Sequence, residues 1–122
     1  MFGFYLDVMY EQEDPFHSFL EHSWQYEIVS FCFHQSLDQE FETFLDITLS
    51  NGDVVRRLRF YSPQDIEVEK GFPRKASGFC IFDVSARGLE KLSVRVDDLE
   101  GNWGAVQFWA RAVEEIKQSV PT

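Results

Sequence analysis

The first 55 residues contain no lysine and no arginine, against eleven aspartates and glutamates. All the basic residues lie from Arg56 onward, where the remaining acids nearly balance them, and the 122-residue chain carries a formal net charge of −10. Phosphate backbones and anionic membranes are gripped by lysine and arginine, so the deficit argues against nucleic acid or a membrane surface as direct partner. Long apolar runs are also missing, and nothing approaches the ~20 residues of a spanning helix. The N-terminus, Met1 to Asp7, reaches an acid without the basic stretch that opens an export signal, which predicts a cytoplasmic chain. Cysteine is scarce. Cys32 and Cys80 both fall in predicted strands, and in a reducing compartment they read as two buried thiols.

Catalytic signatures are absent too. The chain has no G-x-S-x-G, H-E-x-x-H, Walker A loop, G-x-G-x-x-G or C-x-x-C, and the reading is therefore a non-enzyme. His17 and His22 stand five apart on a predicted helix, about 140° around its axis, so they do not share a face for a metal. Cys32 and His34 share a strand face, but at ~6.5–7 Å between Cα atoms they are too far apart for a ready thiolate–imidazole bond. No metal and no cofactor are expected.

What the chain has in abundance is phenylalanine, 13 residues beside 3 Trp and 4 Tyr, in a composition that is 44% hydrophobic. Aromatics suit the pleated faces of strands. The length predicts one domain over 1–122. Residues 2–10 alternate as a strand, and Asp14-Pro15 caps a short amphipathic helix over about 14–23. Trp24 to His34 is apolar on both parities, as in a strand covered on both faces. Phe41 to Leu49 and Val54 to Phe60 alternate around Asn51-Gly52, predicting a two-residue hairpin with Leu45 opposite Leu58 and Asp46 opposite Arg57. That ion pair is expected to be exposed and to contribute only about 0.2–1 kcal/mol. A weaker strand over 65–69, a loop over 71–78, and strands over 79–84 and 91–97 follow, with Leu92, Val94 and Val96 inward. Asp97 to Asn102 reads as an acidic turn, Val106 to Ala112 as the last strand, and Val113 to Gln118 as a helical turn. The fold class is mainly β: an antiparallel sandwich or curled sheet of about eight strands with one short packed helix.

Three acid groups fall at predicted loops or element ends: Glu11, Glu13 and Asp14; Asp38, Glu40 and Glu42; and Asp97, Asp98 and Glu100 beside Trp103. Acids on loops steer a basic partner, and a tryptophan among them is the residue type that anchors interfaces. Against this stand a strand order that interleaves the two halves and dilutes the acidity, and a Trp103 that caps the core. Trp109 shares its outward parity with Gln107 and Arg111, so it is either stacked by Arg111 at the surface or covered by another element.

The stretch Ile81-Phe82-Asp83-Val84-Ser85-Ala86-Arg87-Gly88-Leu89-Glu90, running on to Val94-Arg95-Val96-Asp97-Asp98, together with small size, acidity and Phe-rich strands, resembles the small immunity proteins of bacterial toxin systems. The resemblance implies neutralisation of a cognate toxin, often a cationic nuclease, and carries over no particular residue. A second reading is a carbohydrate- or small-ligand-binding sandwich with Trp103, Trp109 and Tyr61 as stacking platforms. The sequence leaves the oligomeric state open.

Overall fold

The computed structural model describes residues 15, 23–38, 42–72, 78–99 and 104–117. Eight strands form two four-stranded antiparallel sheets: β1 (Glu27–His34), β2 (Phe44–Ser50), β3 (Val55–Tyr61), β4 (Gln64–Val68), β5 (Phe79–Asp83), β6 (Val94–Asp98), β7 (Val106–Ala110) and β8 (Ala112–Glu115). The first sheet runs β1-β2-β3-β8 and the second β4-β7-β6-β5. Short 3-10 turns at Ser23–Gln25 and Ser85–Arg87 are the helical elements among the described residues. The expected strand over 2–10 and helix over 14–23 lie outside the described residues, apart from Pro15 and Ser23.

Strict alternation sends Leu45, Ile47 and Leu49 of β2 and Leu58 and Phe60 of β3 to one face of the first sheet, all fully buried. Val94 and Val96 of β6 and Val106, Phe108 and Ala110 of β7 do the same from the second sheet. These residues form one core, in which Phe60 and Phe108 meet edge-to-face with ring centroids 5.0 Å apart. A pair of that geometry adds about 0.5–1.5 kcal/mol to the area it buries.

The β2–β3 hairpin departs from the expected two-residue turn. Its loop has four residues, Asn51 to Val54, and the register places Leu45 opposite Phe60 and Asp46 opposite Arg59. A type I′ turn needs positive φ at both central residues. Only Gly52 of the two has it, at +98°. The Asn51 side chain instead closes the loop by accepting from the backbone N–H groups of Asp53 and Val54, at 3.0 and 2.9 Å. A slip of two residues preserves parity, so Asp46 and Arg57 still share a face.

Further expectations are corrected. β1 is not covered on both faces but is an edge strand, with Val29 and Phe33 63% and 47% exposed. A run that is apolar on both parities does not separate a central strand from an edge. The expected last strand is two strands, because the chain leaves the second sheet after Ala110 and enters the first at Ala112. Arg111 makes the corner, its backbone N–H donating to the Tyr61 carbonyl at 2.9 Å. The helical turn expected after it is β8, drawn into strand by pairing with β3. Asp97, expected both as the end of the strand over 91–97 and as the start of the acidic turn, closes β6 together with Asp98, expected in the turn, opposite Cys80 and Phe79. Leu92, expected inward, is partly buried just ahead of that strand.

Candidate functional site

Chemistry on this molecule is concentrated on the outer faces of the sheets. On the first sheet, the alternation that buries Leu45 and Ile47 turns Asp46 outward between Arg59, its register partner, and Arg57. Arg57 Nη2 donates to Asp46 Oδ2 at 2.9 Å, and Arg59 donates through Nε at 2.8 Å and Nη2 at 3.0 Å. The two guanidinium stems roof the carboxylate, which is only 5% exposed. Burial alone would raise the Asp46 pKa, but the hydrogen bonds from Arg59 and Arg57 outweigh it and hold the carboxyl below its ordinary range. The ion pair expected at the surface is thus a covered three-membered cluster.

Two more pairs close arginines on this chain, the first of them on the other face of the sheet, in register with Leu49 and Leu58. Arg56 grips Glu115 of β8 with two hydrogen bonds, and Arg111 grips Glu42 in the same forked way. Glu42 also accepts from the Ser62 hydroxyl at 2.7 Å. Ser62, with φ of +48°, makes the corner from β3 into β4. Glu42 therefore ties together the two corners at which the chain changes sheet. Hydrogen bonds from Arg111 and then Ser62 lower its pKa, and the bond from Arg56 lowers that of Glu115.

At the His34 end of β1 the face opens into a cleft of about 390 Å³ lined by His34, Leu37, Asp38, Glu42 and Phe44 among others. His34 stacks on Phe44 with centroids 4.8 Å apart, and the Arg59 guanidinium lies 3.9 Å from that ring. Leu37, at the tip, is 99% exposed.

The outer face of the second sheet is built differently. A cleft of about 430 Å³ is lined by Asp65, Ile66 and Glu67 of edge strand β4, Arg95 of β6, and Gln107 and Trp109 of β7. Trp109 is half-buried, with the guanidinium of Arg95 4.8 Å and that of Arg87 5.7 Å from its ring. Arg111 has no part in this: it lies 5.5 Å from the Tyr61 ring, on the other sheet. Trp109 is therefore stacked at the surface as one reading expected, but by different arginines. Asp65 and Glu67 are exposed, and β4 carries a bulge between Gln64 and Glu67.

Of the acids singled out from sequence, the structure places four. Asp38 borders the first cleft, Glu42 is held at the corners, and Asp97 lies 3.8 Å from Arg95 and accepts from the Asp98 N–H at 2.7 Å. Glu11, Glu13, Asp14, Glu40, Glu100 and Trp103 lie outside the described residues. Tyr61 and Trp109 sit on different sheets and do not make one stacking platform. Sequence reasoning missed Asp65 and Glu67, whose signal was the Asp-Ile-Glu-Val-Glu alternation of a strand with no base. It also missed Leu37, which no pattern distinguishes from a core residue.

The cysteines separate. Cys80 is fully buried, and burial first, then the charges of Asp98 and Asp97, push its thiol up to about 12. Cys32 is exposed, contrary to expectation, because β1 has an edge position. Among the described residues, no group of three or more His, Cys, Asp or Glu is placed to hold a metal, and no helix is long and apolar enough to cross a membrane. No family model, no curated protein and no solved structure matches the chain.

Proposed function

We propose that this chain acts in the cytoplasm as a binding protein for a basic protein, as an immunity protein neutralising a cationic toxin such as a nuclease does. One observation carries the reading: the arginines of the first sheet are closed within it. Arg57 and Arg59 meet Asp46, Arg56 meets Glu115, and Arg111 meets Glu42. The surplus of ten negative charges must then be expressed by the other acids. Among these are Asp65 and Glu67 along β4, and the fully exposed Leu37 adds an apolar side chain on the first sheet's cleft. A negative surface with apolar or aromatic side chains set in it steers a basic partner electrostatically and then offers desolvated contacts.

The test is co-expression with the product of the adjacent reading frame, read as rescued growth, together with association kinetics at two salt concentrations. Asp65→Lys with Glu67→Lys is expected to slow association, flatten its salt dependence and leave the melting temperature in place, because rim charges act mainly on encounter. Trp109→Ala, by contrast, should speed dissociation. An association rate untouched by the charge reversals overturns the reading.

A further inference from the structure

Among the described residues, β1, β8, β4 and β5 form the edges of the two sheets, and an open edge is a template for another strand unless it is guarded. Three are guarded. β8 has four residues, two of them glutamates. β4 carries a bulge and two exposed acids, with Asp65 at φ +54°. β5 is covered by Ser23–Gln25 and by Pro15, whose carbonyl accepts from the Asp83 N–H at 2.8 Å. β1 differs from all three. It is eight residues long, uncharged from Ile28 to Phe33, and free of lysine and proline. Val29, Cys32 and Phe33 are exposed along it. Its single bulge falls at Val29, so Ser30 to His34 run in unbroken register.

From this contrast we infer that β1 docks against β1 of a second copy, joining two first sheets into one continuous eight-stranded antiparallel sheet across a twofold axis. The strand is its own complement. Antiparallel pairing centred on Phe31 sets Ser30 opposite Cys32 and, past the bulge at Val29, Ile28 opposite Phe33, so that apolar side chains on one face meet across the seam. It also sets Glu27 at the end of each strand beside the other copy's His34, so that a carboxylate acceptor meets an imidazole at both ends of the seam. One strand edge makes a small interface, below about 1,200 Å², and a dissociation constant of micromolar or weaker is expected. This inference stands apart from the basic-partner reading, since it uses an edge with no acid from Ile28 to Phe33.

Sedimentation equilibrium of the full chain, from micromolar to several hundred micromolar, tests it. The wild type is expected to pass from monomer to dimer over that range. Val29→Lys and Phe33→Lys should each weaken self-association by about tenfold or more, with circular dichroism and melting unchanged, since an edge lysine blocks pairing without disturbing the core. In this register the two Cys32 Cα atoms lie about 8 Å apart, from a strand rise of ~3.4 Å and a pair spacing of ~5 Å. A short bis-maleimide should therefore link the wild type as a dimer and leave Cys32→Ser unlinked. A chain that stays monomeric throughout the range overturns the inference. So does a dimer that persists at full strength in both lysine variants, which would put the seam elsewhere.

Discussion

The two outer faces of the sandwich use the same residue types for opposite ends. On the outer face of the first sheet Arg57 and Arg59 both face a carboxylate of the chain itself, Asp46, while Arg56 meets Glu115 on that sheet's other face. On the second sheet, the arginines lean over Trp109, while the acids of β4 face solvent. A charge count cannot separate these situations. The lesson is that Asp46, from the half without bases, lies on the strand next to Arg56-Arg57-Leu58-Arg59, so part of the sequence asymmetry cancels within the first sheet.

Substitutions can break this comparison, and the largest effect should come from the floor both faces share. Phe60→Ala removes the ring that meets Phe108 and should cost about 3–5 kcal/mol in denaturant unfolding. A cost under about 1 kcal/mol would mean that the sheets are not pinned there.

Next comes the direct contrast between faces. Asp46→Asn leaves Arg57 and Arg59 facing a neutral amide under partial cover, and should cost about 1–3 kcal/mol. Glu67→Gln on the other face should stay within about 0.5 kcal/mol. Equal costs would erase the distinction.

Titration sharpens the same point. Asp46, Glu42 and Glu115 all have pKa values lowered in the folded chain. The unfolded chain therefore takes up protons first as pH falls. Their stabilising contribution is complete above the ordinary carboxylate pKa of about 4 and is lost as pH drops from there through the lowered folded values. Acid unfolding of Asp46→Asn should accordingly show a shallower loss than wild type below pH ~4. An unchanged slope would remove Asp46 from the account.

The smallest effect concerns thiols. In the native chain a maleimide should label Cys32 alone, and Cys80 only on unfolding, because its thiol is buried and pushed up to about 12. Two labels on the folded protein would show that the second sheet opens at β5.

Much of the fold was legible because period-two alternation is a local signal. Leu45-Ile47-Leu49 and Val94-Val96 announced both their strands and their buried face. The misreadings arose where the deciding fact is distant in sequence. Nothing near Arg111 says that the chain changes sheet there, since the cause is a hydrogen bond to Tyr61 fifty residues earlier. Val113 to Glu115 become strand only because Leu58 to Phe60 wait across the seam. Of the candidate site, the acids were visible as residue types. Which of them are closed by arginine depends on register, and the Asn51-Gly52 reading set that register two residues off.

The seam between β3 and β8 also sets an order of events during synthesis. β1, β2 and β3 are sequence neighbours, and their hairpins can pair as soon as they emerge. Arg56 must wait 59 residues for Glu115, and Glu42 must wait 69 for Arg111. Contacts of such long range close late and slow the search for the native state. Until β8 has been made, a nascent chain holds a three-stranded meander with both of its edges open and its arginine fork empty. Premature arrest of translation between β7 and β8 would thus leave β3 open to pair with other chains, an edge that β8 covers in the finished molecule.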